Sequence, residues 1–285
     1  MKQKYVLVGL GGIVLIVVLL IFSRPLTPVS EFEHAHGLAV DADGKVYIAT
    51  HHGLLVMMND SKLYRVGRAT HDFMGFSLHP TEKGVMYASG HPEKGGNLGV
   101  IKSTNWGKTW KKISGAVRGP ADFHAMTISQ ANPSVLYGWY ALMIQRSVDG
   151  GETWNVRKVG VPPVLSMAAS SQDSETLYAV IGAAFMISRN GGKDWETVDS
   201  DMQATALANH PRENLLVSYS GKYGVAKSAN DGWTWEKLAD WFVDEPIELI
   251  AMHPENTSVM YAVTSENNIY KSVDGGAIWN QVVLQ

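Results

Sequence analysis

Ser147-Val148-Asp149-Gly150-Gly151-Glu152-Thr153-Trp154 is one of five copies of a single pattern, Ser-x-Asp/Asn-x-Gly-x-x-Trp. The others run from Ser103 to Trp110, Ser188 to Trp195, Ser228 to Trp235 and Ser272 to Trp279. Their serines lie 44, 41, 40 and 44 residues apart. A fixed period of this size is the signature of a repeat architecture.

Each copy has a local physical reading. Asp or Asn at the third position bonds backbone two residues on and starts a tight turn. Gly at the fifth position supplies the positive φ that the turn needs. Trp opens the next strand and offers a large apolar face to a neighbouring sheet. The copies are therefore turns ending in packing anchors, and not a catalytic motif.

The pattern resembles the Asp-box, or BNR, repeat of sialidases, sortilin-type receptor domains and photosystem assembly factors. The resemblance covers about Glu31 to Gln285. It implies a β-propeller. It implies little about activity, because one such fold hosts enzymes, receptors and assembly factors.

The strand order between copies supports the same fold. A second strand recurs as Val46-Tyr47-Ile48-Ala49, Met86-Tyr87-Ala88, Leu136-Tyr137-Gly138, Leu177-Tyr178-Ala179, Leu216-Val217-Ser218 and Met260-Tyr261-Ala262. That makes six units, the first having Met57-Met58-Asn59-Asp60 where its turn motif should stand. Six four-stranded antiparallel units of this length predict an all-β, six-bladed propeller over residues 31–285. How the ring closes is not readable.

Before the repeats, Tyr5 to Phe22 is an unbroken apolar or glycine run of 18 residues. That length reaches the lower limit for spanning a bilayer as a helix. Lys2 and Lys4 precede it, which places the N-terminus in the cytoplasm and the repeats outside. The run ends Ile-Phe-Ser-Arg, without the small residues of a cleavage site. Residues 1–22 thus read as an uncleaved transmembrane signal anchor in the cytoplasmic membrane. Residues 23–30, with Pro25 and Pro28, read as a short stiff linker.

The chain has no cysteine, so disulfides, thiolate metal sites and a lipoprotein anchor are excluded. A net charge of −3 with mixed signs leaves no basic footprint for nucleic acid.

The ten histidines divide by position. His79, His210 and His253 each precede Pro in the turn after the innermost strand, and read as structural turn residues. The other seven fall at the start of an innermost strand or the end of a second strand, all in the first three units. Antiparallel alternation puts them together on the face opposite the five turn motifs. Aligning the innermost strands sets His34 and His36 beside Asp72 and Met74, and these beside Asp122 and His124. The series continues through Pro163 and Leu165, Gln203 and Thr205, to Pro246 and Glu248. His51 aligns with His91 at the ends of second strands.

Imidazoles with carboxylates suit a transition metal such as copper or zinc. His36 and His124 are the first candidate ligands. His34, His51 and His91 follow, with Asp72 and Asp122 as ligands or as carboxylates that orient them. The alternative is that these histidines bond backbone at strand ends. The segments His34-Ala35-His36-Gly37, Gly90-His91-Pro92 and Asp122-Phe123-His124-Ala125 look like those of bacterial propellers labelled glycosyl hydrolases.

Three functional classes remain open. The first is a ligand-binding or assembly module outside the membrane, with a protein or glycan partner. Asp72, Asp122 and Glu248 would bind that partner, with Trp139, Tyr140, Trp241 and Phe242 as a candidate aromatic patch. The second is a metal-dependent enzyme or metal carrier. The third is a glycoside hydrolase using two of the carboxylates. Sialidase chemistry is not expected, because no arginine cluster stands at the innermost strand starts.

Overall fold

The computed structural model describes residues 26–240 and 244–285. The transmembrane anchor expected over residues 1–22, and Trp241 and Phe242, lie outside the described residues. Among the described residues, no helix is long and apolar enough to cross a membrane.

Six antiparallel sheets form six blades, each built from one contiguous stretch of chain. Their innermost strands are Ala35–Val40, Asp72–Leu78, Ala125–Ile128, Val164–Ala169, Ala204–Asn209 and Ile247–His253. Each packs on the next, and the sixth packs on the first, so the ring closes around a central axis. The expected six-bladed propeller is what the chain forms.

Two boundaries differ from expectation. Residues 23–30 are not simply a linker, because Leu26–Val29 pairs with Lys62–Val66 as a fifth strand on the first blade. Pro28 is tolerated there because an outer edge strand has a side that needs no N–H donor. Where a fourth strand of the last blade is expected from Trp279 to Leu284, only Asn280–Gln281 forms one.

The five turn motifs share one hydrogen-bond scheme. Gly151 N–H donates to Ser147 Oγ at 2.9 Å, and Thr153 N–H donates to Asp149 Oδ1 at 2.9 Å. The same two bonds recur at Ser103, Ser188, Ser228 and Ser272. The Asp or Asn carboxyl or amide oxygen therefore reaches four residues on, not two, because the serine hydroxyl takes the nearer amides. The fifth-position glycines have φ between 77° and 92°, as the turn requires. At Gly232 an added Cβ would also stand 2.1 Å from the Phe185 ring.

Blades are tied by the second-strand tyrosines. Tyr178 Oη donates to Asp231 of the next blade's turn at 2.6 Å. Tyr261 Oη donates to Asp60 at 2.8 Å, and Lys271 Nζ to the same carboxylate at 2.6 Å. Asp60 belongs to the degenerate first motif, so that turn keeps the inter-blade bond after losing its own signature. The ring closes without strand exchange, through this contact, a shared apolar cluster of first and last blades, and Gln285 N–H on Ser61 O.

The turn histidines behave as read. The His210 Nδ1 accepts from Arg212 and Glu213 N–H at 3.3 and 3.0 Å, and His79 and His253 do the same in their turns. Burial holds His210 and His79 below the usual histidine pKa. Such a group resists protonation in the fold but not in the unfolded chain, so stability is lost as pH falls below about 6.5. Glu213 and Glu255 oppose this shift and Arg212 adds to it. His210→Asn, whose amide oxygen also serves such turns, is expected to lose less thermal stability than the wild type between pH 7.5 and 5.5. Equal losses in paired thermal melts would assign the acid sensitivity elsewhere.

Candidate metal centre

The innermost strands share a feature that fixes the site. Pairing slips by one residue between Ala35 and Gly37, Phe73 and Gly75, Val164 and Ser166, Ala204 and Ala206, and Ile247 and Leu249. The extra residues are His36, Met74, Leu165, Thr205 and Glu248. In the third blade the strand begins at Ala125, directly after His124. A β-bulge re-aims a side chain and bends its strand. Repeated around a ring, it collects one residue per blade at the mouth of the axis.

The residue before each of these is buried: Ala35, Phe73, Phe123, Val164, Ala204 and Ile247. It anchors the strand while its neighbour faces the mouth. Two residues further on, Leu38, Phe76, Met126, Met167, Leu207 and Ile250 form an apolar ring across the channel. They line both a cavity of about 120 Å3 on the histidine side and a funnel of about 730 Å3 on the other. The two openings thus share this ring of apolar side chains between them.

On the histidine face, the candidate ligands form two clusters. In the first, Asp122 Oδ2 lies 2.9 Å from His91 Nε2 and 2.7 Å from His124 Nε2. The Asp122 side chain is 5% exposed, and its Oδ1 is buried with no hydrogen-bond partner among the described residues. His91 Nδ1 lies 2.9 Å from Gly96 O. A carbonyl only accepts, so Nδ1 carries the proton there. His91 Nε2 then meets the carboxylate either as an N–H donor or, with a metal ion as its partner, as a ligand. A carbonyl bond on the far nitrogen is also what metal-bound imidazoles use to fix their tautomer. The hydrogen bond to Asp122 raises the His124 pKa against the opposing effect of burial.

The second cluster joins His36, His51 and Asp72. His36 Nε2 is 3.9 Å from Asp72 Oδ1, and His51 Nε2 is 3.7 Å from Oδ2. His36 Nε2 and Asp72 Oδ1 are buried and have no hydrogen-bond partner among the described residues. The His51 ring packs between His34 and His36, with centroids 4.7 and 4.6 Å away. Burial first, then the neighbouring His51, His34 and His124, push the His36 pKa down to about 4. In each cluster three potential ligand atoms lie within 4.8 Å of one another.

The sequence therefore placed the residues on one face, but not their grouping. His36 and His124, read as first ligands of one ion, belong to different clusters. His34 joins neither and only stacks on His51, from a left-handed backbone with φ of 48°. Glu248 is exposed and lines the small cavity with His36 and His124. Trp139 and Tyr140 are half-buried: Trp139 Nε1 donates to Val161 O, and Asn97 Nδ2 donates to Tyr140 Oη. Trp139 also meets the His124 ring edge-on at 6.4 Å. The funnel escaped sequence reading, because no motif marks it.

No family model matches the chain. A curated xyloglucanase of Paenibacillus sp. is 21% identical over 239 residues, which are 79% of this chain and 21% of that protein. Among solved structures, the GH74 enzyme of Niastella koreensis superposes with a TM-score of 0.65 at 16% identity, over 90% of this chain and 46% of its own. The GH74 xyloglucanase of Xanthomonas campestris gives 0.60 at 15%, over 90% and 47%. YCF48 bound to a D1 peptide gives 0.56 at 14%, over 90% and 85%. The chain thus spans about a fifth of the curated relative and about half of the GH74 enzymes. At these identities the solved structures establish the propeller fold alone.

Proposed function

We propose that this chain is a ligand-binding propeller whose histidine face works through a bound transition-metal ion. One observation carries the reading: buried Asp122 faces two imidazole nitrogens with one oxygen, while His91 is held by Gly96 O in the tautomer of a metal ligand. The donor set of two imidazoles and a carboxylate fits zinc or copper. His124 also lines the cavity of about 120 Å3, which would leave room for a ligand beside a bound ion. The N-terminal apolar run would hold this propeller on the outer side of the cytoplasmic membrane.

The test is elemental analysis of the full chain, purified without a histidine tag and exposed to zinc or copper. Bound ion in the wild type, and a lower ion content in a His91→Ala/His124→Ala variant that still melts cooperatively, supports the reading. Ion-free wild type after loading overturns it.

A glycoside hydrolase is the second reading, favoured by the sequence likeness to a xyloglucanase. Its acid and base would come from Asp72, Asp122 and Glu248. A glycosidase acid commonly sits against apolar walls, whereas Asp122 meets imidazoles. Release of reducing ends from xyloglucan, abolished by Asp122→Asn and Glu248→Gln, would establish this activity and displace the binding module.

A further inference from the structure

We infer that the histidine face holds two metal ions, the second at His36, His51 and Asp72, and that the pair binds a small oxyanion in the cavity between the blades. The inference rests on the metal reading of the Asp122 cluster and extends it to a separate site.

The Asp72 cluster has geometry that hydrogen bonding does not explain. Its nitrogen-to-oxygen distances of 3.7 and 3.9 Å are too long for hydrogen bonds. Two of its atoms, His36 Nε2 and Asp72 Oδ1, are nevertheless sealed from water without partners among the described residues. A buried polar atom without a partner is costly. An ion with bonds of about 2.0–2.1 Å holds its ligand atoms about 3.3 Å apart. The two His–Asp separations exceed that spacing by roughly half an ångström, and an ion there would satisfy both atoms at once.

The two clusters are built by related rules. In each, a histidine ending a second strand reaches the aspartate that starts the next blade's innermost strand: His51 to Asp72, and His91 to Asp122. The third ligand differs. His36 comes from the earlier blade and His124 from the later one, and both line the same cavity of about 120 Å3. That volume holds a few water-sized groups, at about 30 Å3 for each water in the liquid.

Charge selects the ligand. Two divalent ions bring four positive charges. Asp72, Asp122 and Glu248 supply three negative ones, leaving an excess that favours an anion. Met74, between the two clusters on the ring, adds no charge. The small anion that fits is an oxyanion of phosphate size, or a carboxylate.

The experiment counts ions and then adds inorganic phosphate. The full chain, Asp72→Asn and Asp122→Asn are loaded with zinc, freed of excess and measured for bound metal. Two ions in the wild type and one in each variant is the expected result. His51→Gln, at a partly exposed turn, repeats the Asp72 arm should Asp72→Asn fail to fold. One wild-type ion, lost in Asp122→Asn and kept in Asp72→Asn and His51→Gln, overturns the second site and leaves the first standing. No ion at all overturns both. Calorimetry with inorganic phosphate on the zinc-loaded protein should show binding that weakens at least tenfold in His51→Gln. Equal binding in that variant would overturn the shared oxyanion site.

Discussion

Asp122→Asn is expected to weaken zinc binding at the first cluster by at least a hundredfold, measured by competition against a chelating dye. The carboxylate is the only anion in that cluster, and both imidazoles converge on its Oδ2. Asparagine keeps the shape and removes the charge. A hundredfold loss is about 2.7 kcal/mol, and a change in a metal's outer partners alone commonly costs about 10–100-fold. The apo variant should fold, because an amide still accepts from a protonated His124. Unchanged affinity would mean that the ion, if present, sits elsewhere.

Phe123→Ala is expected to destabilise the propeller by about 3–5 kcal/mol, the usual loss for a buried phenylalanine. Phe123 is fully buried. Its ring packs on Trp154 at a centroid distance of 4.8 Å and lies over Gly138, where an added Cβ would stand 2.5 Å from it. A domain of this size should lose roughly 10 °C in thermal midpoint. The same change should weaken zinc, because Phe123 stands between Asp122 and His124 and fixes the strand that carries both. A variant with a normal melting point would show that Trp154 and Gly138 do not define this position. One that melts early yet binds zinc normally would uncouple the anchor from the site.

The turn motifs were legible because their bonds close within eight residues. Serine, Asp or Asn, and glycine specify them with no help from elsewhere in the fold. The face carrying the histidines was legible because a fixed repeat turns position in sequence into position in space. His51 aligns with His91, and Asp72 with Asp122, by position in the repeat alone. The grouping was not legible. Asp72 pairs in register with His91 across its own blade, yet His91 turns to Asp122 of the next. That choice follows from the bulges and the approach of neighbouring blades, which no single strand encodes. The Leu26–Val29 strand was missed for a similar reason. Two prolines nearby read as a linker, while the partner that accepts the strand lies far along the chain.

That added strand also sets a direction. Leu26 pairs with Val66, just before the chain turns to His71 and Asp72. Leu26, the first described residue, therefore stands at the rim of the histidine face. A leash tied there would draw this face toward its mooring and leave the wide funnel looking away. Were the leash a bilayer segment, anything reaching the histidines would have to pass between the disc and the lipid headgroups. Molecules free in the surrounding compartment would meet the funnel first.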